Sequence, residues 1–220
     1  MIELYSKAKL PTNEGEFDIY VFREGPLEHA VLVKPGGREP LLVRIHSKCL
    51  TGEVFGSLKC DCREQLEIAR SMISEEGGML LYLDQEGRGI GLGNKIKAYG
   101  LEAEGYDTVD ATMALGFSAD ERNFGVAADI LEQFEISSVR LLTNHPKKIS
   151  TLEERGIAVE RIPIKGSVNS HNLPYLLAKQ VRFGHDLGIM REDYADKLRE
   201  LNARRGKDGA LPRQKIVERR

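Results

Sequence analysis

Three cysteines in one short segment are the strongest candidate for a metal site in this sequence. Cys49, Cys60 and Cys62 follow the pattern C-x10-C-x-C and are all the cysteines of the chain. Thiolates bind zinc well, and hydrolytic zinc sites use three protein ligands and leave the fourth position to water, whose pKa falls to about 7. The pattern therefore favours a catalytic zinc site. Two alternatives stay open: a structural site with His46 as the fourth ligand, and small buried thiols without a metal.

A glycine-rich turn is the first of two candidates for phosphate binding. Residues 86–93 read EGRGIGLG, between a short apolar run and a predicted helix. In that layout, backbone N–H groups and a helix N-terminus cradle anions, and Arg88 suits bidentate phosphate binding. The turn is not the dinucleotide pattern G-x-G-x-x-G, because Asn94 stands in place of the third glycine. The alternative is a purely structural glycine turn.

The second candidate is the basic turn at 143–148, which reads TNHPKK. It ends a predicted strand and opens a helix, with Pro146 suited to the first helical turn. Lys147 and Lys148 there oppose the helix dipole, an unfavourable arrangement that a bound phosphate would offset. The alternative is a pair of solvated surface lysines.

Other polar groups allow a structural interpretation. Asp120 and Arg122 could be no more than a helix N-cap with charged residues in the first turn. His46, His145 and His185 are of a type that is more often hydrogen-bonded structurally than a ligand.

The elements that must position these residues alternate between strands and helices. Apolar periodicity and turn residues predict strands over 29–34, 41–46, 79–83, 138–142 and 157–164, and helices over 63–76, 94–103, 124–134 and 146–155. This alternation predicts an α/β fold, a mixed sheet with helices packed around it. A last amphipathic helix is predicted from about residue 186 to 201, followed by a basic tail.

Composition excludes several classes of protein. The 220 residues are 41% hydrophobic and 30% charged, with a mean hydropathy of −0.35, and no apolar run approaches the ~20 residues that cross a bilayer. An odd number of cysteines argues against a disulfide framework, and the N-terminus lacks the layout of a secretory signal. The sequence therefore predicts a cytoplasmic protein.

Charge is distributed unevenly along the chain. The net charge is −2, whereas residues 197–220 carry nine Lys/Arg against three acids and so contribute +6. Such a tail could contact nucleic acid, but no aromatic side chains are interleaved to stack on bases. A solvated C-terminus is the favoured interpretation, and nucleic acid is not a predicted partner.

Taken together, the motifs resemble those of GTP cyclohydrolase II, the zinc enzyme that opens the guanine ring at the start of riboflavin synthesis. The resemblance runs in order through about residues 8–187. Its stretches are 44–52 (RIHSKCLTG), 57–62 (SLKCDC), 85–92 (QEGRGIGL), 94–99 (NKIKAY), 105–109 (GYDTV), 115–117 (LGF), 120–122 (DER) and 141–148 (LLTNHPKK).

The resemblance implies a role for each matching residue. Cys49, Cys60 and Cys62 would hold Zn²⁺, Asp120 and Arg122 match the proton acceptor and the nucleophile, and Tyr99 matches a tyrosine associated with formate release. The matching substrate-binding positions are Arg44, Ile45, His46, Ser47, Lys48, Gln65, Glu86, Gly87, Arg88, Thr108, Thr143 and Lys148. Because guanidinium keeps its proton, we expect Arg122 instead to stabilise charge at the α-phosphate while water attacks, with Asp120 orienting that water.

The implied reaction converts GTP and water into formate, pyrophosphate and 2,5-diamino-6-(5-phosphoribosylamino)pyrimidin-4(3H)-one. Mg²⁺ would accompany the triphosphate, and the family habit is a homodimer. Residues 1–187 would form the catalytic domain, and 188–220 a C-terminal helix and basic tail.

This chain departs from the family pattern at two positions. The family commonly has Glu where this chain has Lys48 and Asn where it has Thr112. Two alternatives stay open: a paralogue that makes an incomplete or different product, and a GTP-binding protein with structural zinc and no turnover.

Overall fold

A seven-stranded mixed sheet with helices packed around it forms the fold. The structure is a computed structural model of the chain that describes residues 2–188. The strands are β1 (Glu3–Thr12), β2 (Gly15–Glu24), β3 (Leu27–Lys34), β4 (Leu41–Ser47), β5 (Gly78–Leu83), β6 (Ser138–Leu142) and β7 (Ala158–Ile162). The helices are α1 (Leu50–Glu53), α2 (Cys62–Glu76), α3 (Gly91–Ala103), α4 (Thr108–Ala114), α5 (Gly125–Gln133), α6 (Pro146–Glu153) and α7 (Leu173–Phe183), with a 3-10 turn at Glu86–Gly89.

The sheet combines an antiparallel half with a parallel half. Its strand order is β1-β2-β3-β5-β4-β6-β7. Strands β1, β2, β3 and β5 pair antiparallel, whereas β5, β4, β6 and β7 pair in parallel. The carboxyl ends of β4, β5 and β6 therefore lie side by side at the same end of the sheet, and ligands bind at this end in open parallel sheets. The cysteine segment, the glycine-rich turn and the basic turn all begin there.

Two apolar clusters cover the two faces of this sheet. Successive strand residues point to opposite faces, and β4 shows this directly. Val43 and Ile45 join the cluster that contains α5, whereas Leu42 joins the cluster that contains Ile73 of α2. Because both faces are covered, β4 is almost entirely buried, and its C-terminal residues are held rigidly.

The structure confirms the predicted fold class and each predicted strand and helix within the described residues, with ends that differ by up to three residues. Four features were missed: the β1–β2 hairpin, the short helices α1 and α4, and α7. Helix α7 follows a polar run, and its Pro174 lies in the first turn, where proline needs no hydrogen-bond donor.

None of the helices within residues 2–188 is long and apolar enough to cross a bilayer. The predicted last helix falls almost entirely, and the basic tail wholly, outside the described residues.

Candidate active site

The three cysteines converge just beyond the carboxyl end of β4. Cys49 follows the strand, and Cys62 opens α2. All three sulfur atoms lie within 4.8 Å of one another, all three cysteines are free, and the Sγ atoms of Cys49 and Cys60 are 3.7 Å apart. Gly52 completes the pocket, because a Cβ at that position would lie 2.8 Å from the Cys60 sulfur. Among residues 2–188, the potential metal ligands that lie this close together are these three cysteines.

Charge around the thiols favours a thiolate. Hydrogen bonds from Cys60 and Cys62 lower the pKa of Cys49, and the same coupling raises the pKa of Cys60 to about 11. Lys95 Nζ donates to Cys49 Sγ at 3.2 Å and to Glu86 Oε1 at 2.8 Å. Burial lowers the pKa of Lys95, but the Cys49 thiolate and the Glu86 carboxylate outweigh burial and raise it. The cluster therefore already stabilises negative sulfur, the form that binds metals.

His46 is not part of the cysteine group. Its Nδ1 lies 3.3 Å from an Arg44 nitrogen, and its Nε2 lies 2.8 Å from Glu53 Oε1. Tyr82 donates a hydrogen bond to the other oxygen of Glu53. Burial lowers the pKa of His46 to about 4. The four-ligand site with His46 is therefore not the arrangement that the structure shows.

A cluster of buried cations lies beside the cysteines. Arg44 donates to the Leu142 carbonyl and to Gln65 Oε1, both at 2.7 Å, and burial lowers its pKa to about 10. Lys148 is 5% exposed and donates to the Ile45 carbonyl at 2.7 Å.

These cations repel one another. Burial lowers the pKa of Lys148 well below its usual value, and Arg44, Arg122 and Lys179 add to that effect. The solvated-lysine alternative is therefore wrong for Lys148 and fits only the exposed Lys147. Arg44 and Lys148 have no carboxylate partner among residues 2–188, and buried positive charge of this kind favours the binding of an anion.

Asp120 and Arg122 form a bidentate ion pair. Arg122 Nε and Nη2 donate to the two oxygens of Asp120 at 2.8 and 2.7 Å, and His145 Nε2 lies 3.4 Å from Oδ2. Burial opposes the charge of Asp120, but the hydrogen bonds from Arg122 and His145 hold its pKa well below the usual range. Helix α5 begins at Gly125 with Phe124 as its N-cap, so the N-cap interpretation of Asp120 is wrong.

Lys48 is paired rather than free. Its Nζ donates to Asp84 Oδ1 at 3.0 Å, with both side chains about one-third exposed. Asp84 directly follows β5, whose parallel register with β4 places Ser47 opposite Leu83. Thr112 is buried and donates to the Thr108 carbonyl at 2.9 Å inside α4. Each of the two departures therefore has a satisfied partner.

The remaining predicted residues lie at different distances from the chemistry. Tyr99 borders the cysteines, because its OH lies 3.4 Å from Thr51 Oγ1, which is 3.8 Å from Cys49 Sγ; burial raises the pKa of Tyr99 to about 12. Thr143 is buried, and its Oγ1 accepts from the His145 amide. Gly87 donates its N–H to its neighbour Glu86.

The side chains of two predicted residues form no hydrogen bond to the cysteines or to the buried cations among residues 2–188. The Ser47 hydroxyl is buried without a hydrogen-bond partner among residues 2–188. Thr108 starts α4, and none of the hydrogen bonds of the described residues joins it to the cysteines or the buried cations.

Sequence reasoning assigned no role to four residues that the structure places at the site. Lys95 contacts Cys49, and Glu53 holds His46. Lys179 of α7 donates to Asp61 Oδ1 at 3.0 Å, and Asp61 stands between two of the cysteines. The sequence signal for Glu53 is its position four residues after Cys49, on the next helical turn. No local pattern reveals Lys179, which lies 118 residues from its partner.

The comparisons with known proteins agree with this geometry. The family model described as GTP cyclohydrolase II matches residues 3–163. GTP cyclohydrolase-2 of Helicobacter pylori (strain Shi470) is 49% identical over 188 residues, which cover 84% of this chain and 97% of that protein. GTP cyclohydrolase-2 of Picrophilus torridus is 48% identical over 190 residues, 84% of this chain and 99% of that protein.

A further relative is a longer protein. The riboflavin biosynthesis protein RibBA of Bacillus subtilis is 48% identical over 192 residues, 84% of this chain and 48% of RibBA. Among solved structures, a two-domain 3,4-dihydroxy-2-butanone 4-phosphate synthase from A. baumannii is 20% identical with a TM-score of 0.44, over 74% of this chain and 40% of that one.

Proposed function

This chain belongs to the GTP cyclohydrolase II family, and from that premise we propose that it hydrolyses GTP to formate, pyrophosphate and 2,5-diamino-6-(5-phosphoribosylamino)pyrimidin-4(3H)-one, the first step of riboflavin biosynthesis. The observation that carries this proposal is the meeting of three thiols, all within 4.8 Å, with the buried cations Arg44, Arg122 and Lys148. One part suits a hydrolytic metal, and the other suits the phosphates of a nucleotide.

Zinc fits the cysteine set on two observations. The donors are three soft thiol sulfurs, and their charge environment already favours a thiolate at Cys49. Cys49, Cys60 and Cys62 would hold the ion, and when bound it would supply Lewis-acid activation for hydrolysis of the guanine ring. Lys95 and Glu86 border the three cysteines, because Lys95 donates hydrogen bonds to both the Cys49 sulfur and the Glu86 carboxylate.

The buried cations suit the triphosphate. Arg44 and Lys148 hydrogen-bond to backbone carbonyls or an amide rather than to a carboxylate, so their charge is available to an anion. A nucleotide triphosphate would enter with Mg²⁺, which prefers oxygen ligands and bridges substrate phosphates. Gln65 is held between Arg44 and Asp61, and its fixed amide belongs to the same substrate surface.

Arg122 serves as a charge stabiliser at the α-phosphate. Burial lowers its pKa, but hydrogen bonding to Asp120 outweighs burial and raises it, so the guanidinium stays protonated and is a poor nucleophile. Both oxygens of Asp120 already accept hydrogen bonds from Arg122. The first task of Asp120 is therefore to fix that guanidinium, with the orientation of water as a second one. A guanylyl adduct on Arg122 in a mass spectrum would contradict this role.

The experiment is an assay of zinc-loaded protein with GTP and Mg²⁺ that follows formate, pyrophosphate and product mass together. We expect all three products in equal amounts. The matched control is Cys62→Ser, which removes one sulfur ligand and should abolish formate release. Pyrophosphate without formate would support the paralogue that stops early, and intact GTP would support a binding protein instead.

We propose a homodimer, as the resemblance implies, and a cytoplasmic enzyme, to which its three free thiols are suited. Light scattering on zinc-loaded protein tests the first, with a mass of twice 24.6 kDa expected.

A further inference from the structure

Helix α7 lies beyond residues 3–163, the segment that matches the family model, yet one of its faces contacts the candidate active site. Tyr175, Lys179, Arg182 and Phe183 follow the spacing i, i+4, i+7 and i+8, which places side chains on one side of a helix. Each of these four residues contacts a residue of the site or of a neighbouring helix.

Arg88 is an unusual residue in the glycine-rich turn. Its backbone is left-handed, with φ 61° and ψ 33°, a conformation that residues other than glycine rarely adopt. Both of its terminal nitrogens, Nη1 and Nη2, are fully buried and lack a hydrogen-bond partner within residues 2–188. Buried guanidinium N–H groups are costly to leave unpaired. This pattern indicates a ligand that completes the site.

Two rings of α7 hold the Arg88 side chain. Its guanidinium carbon lies 4.9 Å from the ring centroid of Phe183 and 5.3 Å from that of Tyr175. A cation–π contact uses the face of the ring, so the N–H groups of the guanidinium stay available to another partner.

Ion pairs fix the helix that carries these rings. Lys179 donates to Asp61 at 3.0 Å, next to two of the cysteines. Arg182 donates to Asp107 and Asp110 at the start of α4, at 3.2 and 3.1 Å. The two rings are therefore held in place by charges on the same face of α7.

We propose that Tyr175 and Phe183 are positioning residues that hold the Arg88 guanidinium so that its two unpaired nitrogens bind phosphate oxygens of the substrate. The inference rests on the proposed function, because the phosphates are those of the nucleotide proposed above. Arginine is suited to this contact, since its planar N–H groups match phosphate oxygens in a bidentate arrangement. Helix α7 is thus part of the substrate site, although it lies outside the matched segment.

The test measures binding of inorganic tripolyphosphate to zinc-loaded protein by calorimetry, with guanosine as the probe that lacks phosphate. Phe183→Leu and Tyr175→Leu remove a ring and should weaken tripolyphosphate binding about 3- to 30-fold, the range of a cation–π contact. Guanosine binding should stay unchanged. Tyr175→Phe keeps the ring and should restore the affinity. Val181→Ala, at a side chain of α7 that is 59% exposed, is the matched control.

A double-mutant cycle separates positioning from general destabilisation. In an Arg88→Ala background, the ring variants should have no further effect on tripolyphosphate binding, because the group through which they act is gone. Melting temperatures show whether each variant is folded, and Phe183→Leu, at the end of the helix, provides a second variant if Tyr175→Leu does not fold.

Three outcomes would overturn the inference. These are no tripolyphosphate binding by the wild-type protein, ring variants that bind it within about 2-fold of wild type, and equal weakening with and without Arg88, since a working cation–π contact exceeds that range. Formate release from GTP tests the proposed function independently, so the two failures are distinguishable.

Discussion

Buried charge dominates the chemistry of single residues in this protein. Arg44 of β4 and Lys148 of α6 are nearly inaccessible to solvent, and each donates to a backbone carbonyl. Burial deprives such groups of water, a loss that a bound anion would compensate. The cysteines are also closely packed. Gly52 leaves space for their sulfur atoms, and the side chain of any larger residue would occupy that space.

Replacing Gly52 tests that close packing. Gly52→Ala places a Cβ 2.8 Å from the Cys60 sulfur and 3.3 Å from the Cys49 sulfur, so at least one thiol must move. We expect zinc affinity to fall about 10- to 100-fold, the effect of a disturbed ligand shell. Competition with a chromophoric chelator measures it. Gly100→Ala is the control, because a Cβ there meets nothing within 4 Å; equal affinities for the two variants would refute the packing argument.

Reversing the charge of Lys48 tests its pairing with Asp84. In the wild-type protein, Lys48 Nζ lies 3.0 Å from Asp84 Oδ1. Lys48→Glu replaces this ion pair with two neighbouring carboxylates that repel each other. Because the pair is partly exposed, we expect the free energy of unfolding to fall by at most about 1 kcal/mol. The swap Lys48→Glu with Asp84→Lys should restore it. Urea unfolding measures all three proteins, and a swap as unstable as the single variant would argue against the pairing.

Among the helices, a single side chain both caps α4 and joins it to α7. Helix α4 is seven residues long and is fixed at its start by Asp107, whose Oδ1 accepts from the amides of Val109 and Asp110, both at 2.8 Å. Asp107 also accepts from Arg182 of α7 at 3.2 Å. One carboxylate therefore stabilises one helix and joins it to a second.

Removing this cap should loosen both helices. Asp107→Ala loses the two N-cap hydrogen bonds and one ion pair, and we expect the free energy of unfolding to fall by about 1–2 kcal/mol. Asp107→Asn keeps the cap and should lose less, because asparagine also caps well. Urea unfolding at pH 7 ranks the three proteins. Equal stability of Asp107→Ala and wild type would show that the cap contributes nothing.

At the scale of the whole molecule, buried neutral histidines make stability depend on pH. Burial lowers the pKa of His46 and of His145 to about 4. In the unfolded chain both would titrate near pH 6.5, so between about pH 6.5 and 4 the unfolded state binds more protons. Stability should therefore fall as the pH falls through this window. Asp120, with its depressed pKa, adds a further loss below about pH 4.

Acid titration of stability measures this effect. A shift from pKa 6.5 to about 4 corresponds to about 3 kcal/mol for each histidine at the acid end. Urea unfolding of wild type and His145→Gln between pH 7.5 and 4.5 should show a shallower slope for the variant, because one titrating group is gone. His171→Gln, at an exposed histidine, is the control. Parallel slopes for wild type and His145→Gln would contradict the assignment.

The local features of this protein are predictable from its amino-acid sequence. Apolar periodicity gave β4, β5, β6 and α2 to within a few residues, because backbone direction and burial repeat over short distances. Residue type and spacing grouped Cys49, Cys60 and Cys62, which lie close along the chain. It also identified the two turns that follow β5 and β6.

How these segments meet depends on long-range contacts that the sequence does not reveal. Lys148 reaches the carbonyl of Ile45 across 103 residues, and Lys179 reaches Asp61 across 118. No local pattern records such contacts, because they depend on strand order and on which helix covers which edge. Whether Lys148 is a solvated lysine or a buried cation, and whether Arg88 lies against α7, therefore follows from the assembled sheet rather than from either segment alone.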